Sequence, residues 1–281
     1  IPDDQNFVGT PFAKELLTHG TPRFTEHYEE LNAFVRMPGT ERPMRERLPF
    51  TSQWREQKAM DFGPWVKWIQ EGLQWEIPES ETSQASQITQ ALARYQPIFD
   101  QLAVGCERPN ALLTHHWSNQ NRQLLIERPT AHLRMARSLG RVLSLKGSAA
   151  ATVGDTEQTA QAVKLLTKLF QLLTREPSPL DQLVAHSSMA SYTSSVLWDS
   201  LRARILGTKD LQLIQQTLES IHLKEDYRRA TSYQTVVFLE LADYIKHVSP
   251  ETIISSFQAE AIPSVLRCIP NGWIDLDKST V

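Results

Sequence analysis

Apolar positions recur at helical intervals along most of the chain. Ala85, Ile88, Leu92, Tyr95, Phe99 and Leu102 step alternately by three and four residues, which marks one face of a helix from about Ser80 onward. Pro97 falls inside this run and predicts a kink, or an end near Gln96, because it lacks an N–H and its ring crowds the preceding turn. A loop through Gly105 and Pro109 follows. Three helical pairs are then predicted by the turn and cap residues. The first is about Pro129–Thr152 with about Thr156–Thr174, turned at Gly154, with Asp155 and Gln158 at capping-box spacing. In the second helix of that pair, Val163, Leu166, Phe170 and Leu173 share one face. Ala162, Leu165, Leu169 and Leu172 share the adjacent one, and so broad an apolar surface predicts a central helix. The second pair opens at Ser178-Pro179, a cap followed by proline with Asp181 in the first turn, and runs to about Leu206 before Gly207. Thr208 is expected to cap the return helix, with Leu211, Ile214, Leu218 and Ile221 inward. The third pair is about Asp226–His247, then Ser249-Pro250-Glu251 leading to about Ala261.

The ends of the chain read differently. Pro2, Pro11, Pro22, Pro38, Pro43 and Pro49 keep restarting the backbone, leaving room for short helices at about Phe12–His19 and about Glu26–Val35. Residues 1–50 therefore read as an arm lying on a single helical domain, residues 51–281. Pro270-Asn271-Gly272 is a turn signal in the tail. No run alternates apolar and polar residues over strand length. The fold class is all-α: antiparallel helical hairpins in a bundle or an irregular tetratricopeptide-like α-solenoid. The Gly154-Asp155 turn followed by Ala160 resembles the junction inside a tetratricopeptide repeat. The turn points Gly154, Gly207 and Val248 are 53 and then 41 residues apart, so no period is kept.

Composition narrows the functional classes. The 281 residues carry 29 Lys+Arg against 32 Asp+Glu, a net charge of −3 that gives no footprint for nucleic acid. An apolar share of 41% belongs to a globular chain, and two cysteines exclude a disulfide scaffold or a four-cysteine zinc site. No apolar run approaches the roughly 18 residues of a membrane span. The eight histidines include no His-Glu-x-x-His, and His115-His116, being adjacent, point about 100° apart on a helix and cannot easily share an ion. There is no nucleophile elbow and no phosphate loop, so neither metal nor nucleotide cofactor is expected. Cys106 and Cys268 read as buried thiols or as partners of each other.

Two segments carry candidate ligand surface. Trp54, Trp65, Trp68 and Trp75, four of the seven tryptophans, crowd one stretch, with Pro64 suited to open a helix that runs to about Gln74. Trp65 and Trp68 fall on one helical face with Ile69. A glycan platform would use Trp65, Trp68 and Trp75, whereas the same spacing favours rings that pack the arm onto the body. The helix from His186 to Ser195 carries small polar residues at Ser187, Ser191 and Ser194/Ser195. These either line a groove or let a neighbouring helix approach closely, with hydroxyls bonded back to the backbone.

Ile1-Pro2-Asp3-Asp4-Gln5-Asn6-Phe7 with Thr10-Pro11 resembles the opening of the exported part of a group of bacterial helical proteins of unknown function. Arg108-Pro109, Glu127-Arg128-Pro129, Leu133 to Leu143, Gly154-Asp155, Glu176-Pro177, Leu180 with Leu183-Val184, Leu211, Gln215, Leu218 and Pro270-Asn271-Gly272-Trp273 follow in matching order. The stretch Tyr227–Glu240 matches least. The resemblance implies a helical fold, an exported location in the periplasm or cell envelope, a membrane anchor preceding Ile1 and a continuation beyond Val281. It carries over no catalytic residues. The expected function is a non-catalytic envelope scaffold that binds a protein partner. Peptidoglycan or glycan binding through the tryptophans is the alternative, and a helical-toroid hydrolase with two acids across a cleft is the third reading.

Overall fold

The computed structural model describes residues 3–6, 10, 34, 49–77, 83–108, 131–174 and 179–247. The expected helices before Phe34 and after His247, His115-His116, Cys268 and the Pro270 turn lie outside these residues. Helix is the regular structure throughout the described residues. No strand forms among them, and the all-α expectation holds.

The aromatic stretch forms α1 (Gly63–Lys67), which opens with Pro64 in its first turn and widens into a π-turn at Trp68–Gly72. Trp65 has no accessible surface: Phe34 stacks on it at 5.4 Å, Phe50 meets it edge-on at 4.6 Å, and its indole N–H donates to the Pro49 carbonyl at 2.7 Å. Three residues of the proline-rich arm thus close over one tryptophan.

α2 (Gln84–Leu92) is capped by the Ser83 hydroxyl, which accepts from the Ser86 N–H at 3.1 Å. Its apolar stripe continues across a short 3₁₀ turn, Ala93–Tyr95, into α3 (Gln96–Cys106). Pro97 thereby lies in the first turn of a new helix, where a missing N–H leaves no bond unmade. Ile88, Leu92, Tyr95, Phe99 and Leu102 are all buried, so the stripe survives the break.

The core is a triangle of α4 (Ala131–Val153), α5 (Thr156–Thr174) and α6 (Pro179–Ala203), each packed on the other two. α5 buries both of its apolar faces, as its pattern predicts. α4 is buried still more completely, since every residue from Val142 to Ala150 is inside. Small residues permit this. A Cβ on Gly147 would stand 2.8 Å from Val196 Cγ1 and 2.9 Å from the Ala162 methyl. Closer approach increases the dispersion contacts that each helix makes with its neighbours.

The α4–α5 turn follows the expected chemistry. Gly154 takes φ +83°, and the Asp155 N–H donates to the Ala150 carbonyl at 2.9 Å, which closes a Schellman turn. The Asp155 carboxylate accepts from the Gln158 N–H at 2.9 Å. The Gln158 side chain returns to that carboxylate at 2.7 Å rather than to the Asp155 backbone, so the reciprocal half of the capping box is not made.

α6 ends three residues before the expected Leu206, because Arg204 takes the left-handed conformation at φ 55°. Gly207 then caps α7 (Thr208–Glu219) in place of Thr208, and its N–H is accepted by Asp210 at 3.0 Å. α7 rests on α5 and α8 (Leu223–His247) rests on α6. The expected inward set on α7 is corrected: Ile214 is buried and Ile221 half-buried, while Leu211 and Leu218 are exposed. Resting mainly on α5, α7 covers only a narrow stripe.

Candidate functional site

A cleft of about 600 Å³ opens where α2, the start of α3 and the α4–α5 turn converge. Lys146 forms part of its floor. This residue lies on the buried stretch of α4 and is only 5% exposed. Its ammonium donates to Gln96 Oε1 and stands 5.0 Å from the centre of the Phe99 ring. The Gln96 amide in turn donates to Asp100 at 2.7 Å, so a carboxamide separates the lysine from that acid. Burial lowers the Lys146 pKa below the ordinary lysine value, and the more distant charges of Asp100 and Asp155 oppose that fall. α2 contributes Ser86, Thr89 and Gln90 to one wall, and α5 contributes Glu157, Gln158 and Gln161 to the other. The cleft thus offers amides, hydroxyls and one amine, with Asp155 and Glu157 at its acidic side. Both Asp155 oxygens are engaged by Gln158 in starting α5.

Two other polar groupings lie between helices. Asp199 on α6 is buried beside Ser148 of α4 and the Met60 backbone. Burial pushes its carboxyl up from 3.8 to about 6; Ser148, Met60 and Arg202 oppose the rise, yet neither carboxylate oxygen closes a hydrogen bond. On the far side of α6, Asp226 of α8 pairs with Arg229 at 2.7 Å and lies 3.5 Å from the His186 ring. Burial lowers the His186 pKa more than Asp226 restores it.

The sequence candidates fall in different places. Trp65 is wholly enclosed and presents no ring face to a sugar. Trp68 is half-buried, with its indole nitrogen buried and unpartnered. Trp75 is half-buried, with Phe34 stacked on it at 5.6 Å and the Arg94 guanidinium 3.8 Å from its ring. Trp65 and Trp75 therefore serve an aromatic cluster around Phe34, and Trp68 packs partly buried against the same core. Ser187 and Ser191 are exposed on α6, and Ser187 donates back to the Val184 carbonyl at 3.3 Å. Ser195 is buried and bonds the segment just before α1, its hydroxyl accepting the Ser52 N–H at 2.7 Å. Cys106 is a buried thiol whose pKa burial pushes up to about 12, far from a reactive thiolate.

Large apolar side chains gather on the outer helices. Leu211, Leu213 and Leu218 on α7, with Leu223, Tyr227, Val236 and Leu239 on α8, are exposed; Tyr227 is 73% and Leu239 67% accessible. The lysine cleft and these outer faces were not singled out by sequence reasoning. Lys146 carries one weak signal, a lone charge within the run Leu145 to Ala151 that is otherwise apolar and small. The comparisons with known proteins give no relatives: no protein-family model, curated protein or solved structure matches the chain.

Proposed function

We propose that this chain is a non-catalytic helical scaffold of the cell envelope that docks a protein partner on α7 and α8. The observation that carries the proposal is that seven of the eleven exposed large apolar residues among the described residues lie on these two outer helices, the other four being Val104, Val153, Leu183 and Leu201. Singly scattered apolar residues are ordinary on any surface. Their gathering on helices that each rest mainly on one neighbour leaves apolar surface open to a partner. The triangular core of α4, α5 and α6 gives that face a rigid base, and stacked helical hairpins are suited to presenting extended surfaces of this kind. The envelope location rests on the family resemblance of the N-terminal segment. No helix among the described residues is long and apolar enough to cross a membrane.

Site-specific photocrosslinking in bacterial cells tests the proposal. A photoreactive residue at Leu213 or Tyr227 is expected to give one discrete adduct, recovered with the envelope fraction. The same group at exposed Glu71 is the control. Identical adducts from all three positions, or none from Leu213 and Tyr227, would overturn the docking face. Recovery of the adduct in the cytosolic fraction would overturn the location.

A further inference from the structure

The cleft over Lys146 is not used by a docking face on α7 and α8. Its chemistry is unlike that of the exposed surface. A lysine normally keeps its ammonium in water while its stem covers apolar surface. Lys146 is instead held inside, 5% exposed, at the floor of a cleft of about 600 Å³. Its direct partner is the Gln96 carboxamide oxygen. That oxygen accepts an N–H from the ammonium or from the neutral amine, so it fixes the position of Nζ without fixing its proton. A carboxylate in the same place would hold the charged form. The charges that act on the amine are those of Asp100 from α3 and Asp155 from the turn, with Glu157 of α5 on the cleft wall, and none of the three is its hydrogen-bond partner.

We propose that this cleft binds a small, uncharged polyhydroxy carbonyl compound and that Lys146 captures it as an imine. The neutral Nζ adds its lone pair to the carbonyl carbon, and one of its N–H protons passes to the carbonyl oxygen to give a carbinolamine. The carbinolamine loses that hydroxyl, together with the second N–H proton, as water while the C=N bond forms. No oxidant or reductant is consumed. The walls select the rest of the ligand. Gln90, Gln158 and Gln161 supply amides, and Ser86 and Thr89 supply hydroxyls, all suited to ligand hydroxyl groups. Asp155 and Glu157 disfavour an anionic aldehyde. Burial also lowers the Lys146 pKa, and each pH unit of such lowering gives about tenfold more neutral amine near pH 8.

The test uses the intact chain with D-glyceraldehyde as probe and cyanoborohydride to trap the imine by hydride delivery to its carbon. Adducts are mapped by peptide mass spectrometry at pH 8. Lys146 is expected to be modified severalfold faster than the exposed Lys58, Lys67, Lys209 and Lys224. Its rate should level off as glyceraldehyde is raised, as binding before reaction requires, and glyoxylate should react more slowly there. Gln90→Leu on the wall should raise the half-saturating concentration without changing the melting transition. The same reaction in urea should bring Lys146 down to the rate of the other lysines. Native modification of Lys146 no faster than Lys58 would overturn the proposal, and so would a rate strictly linear in glyceraldehyde. Preference for glyoxylate would overturn the ligand class. A failed crosslink at Tyr227 leaves each of these measurements unaffected, so the two readings fall separately.

Discussion

Asp199 sets up a stability measurement whose sign is fixed by its surroundings. The carboxyl is 5% exposed on α6, and its pKa rises from 3.8 to about 6, first through burial. Because the folded state holds this proton more tightly than the unfolded chain, the residue has no effect on stability below about pH 4. It lowers stability progressively between 3.8 and about 6, and above that range the full penalty applies. At about 1.4 kcal/mol per pH unit, that interval is worth about 3 kcal/mol, an upper figure. Asp199→Asn removes the charge and keeps the shape, with an amide able to donate toward Ser148. The variant is therefore expected to be more stable than the parent at pH 7.5, by about 1–3 kcal/mol, with the gain vanishing near pH 4. Urea unfolding followed by helical ellipticity at each pH reads the difference directly. The comparison of the two proteins cancels every other titrating group. An asparagine variant less stable than the parent at pH 7.5 would refute the reasoning. It would mean that the Asp199 carboxylate is ionised and satisfied in the folded core.

Two further substitutions probe the packing. Trp65→Ala should cost about 3–5 kcal/mol in the same unfolding assay, since the ring is fully enclosed by Phe34, Phe50 and the Pro49 carbonyl; a loss below 1 kcal/mol would contradict its place in the core. Gly147→Ala should destabilise by about 1–3 kcal/mol through contact with Val196 and Ala162, despite a gain of about 1 kcal/mol in helix propensity, and Val196→Ala should recover part of the loss.

The helices were legible where punctuation and periodicity agree. Gly154-Asp155 locates the α4–α5 turn because a positive φ and a side-chain cap both leave residue-level marks. The stripe from Ala85 to Leu102 was readable across Pro97 because the proline starts α3 and the buried positions keep their spacing on either side. The end of α6 was misplaced for the converse reason: Arg204 ends the helix in the left-handed conformation, before the glycine that was expected to mark its end, and nothing about an arginine announces this. The inward leucines of α7 were misjudged because amphipathic spacing shows that a helix has an apolar face, not that a neighbour covers it. Leu211 and Leu218 have the spacing of core residues and are exposed. The tryptophans posed the opposite problem, since helical spacing is shared by a core and a platform. Only the position of Phe34 over Trp65 and Trp75 separates the two for those rings.

The lysine cleft was illegible for a deeper reason, which lies in how α4 is packed. Successive residues on a helix are rotated by about 100°, so Lys146 and Ser148 point about 160° apart. Lys146 faces the cleft of α2, α3 and α5, and Ser148 faces Asp199 on α6. One buried helix therefore separates an amine from an acid, and neither neutralises the other. Their means of relieving burial differ. Both carboxylate oxygens of Asp199 are shut off from solvent without a hydrogen-bond partner, and protonation is the route by which its charge is removed. Lys146 opens onto a cleft with room for a ligand, and its carboxamide partner serves either protonation state. The acid is thus a local weakness of the core, improved by removing its charge. The amine has a neighbouring volume, a fixed position and polar walls. A substitution that eliminates the charge should consequently separate the two: Asp199→Asn gains stability near neutral pH, whereas Lys146→Met abolishes imine capture whatever it does to the melting transition.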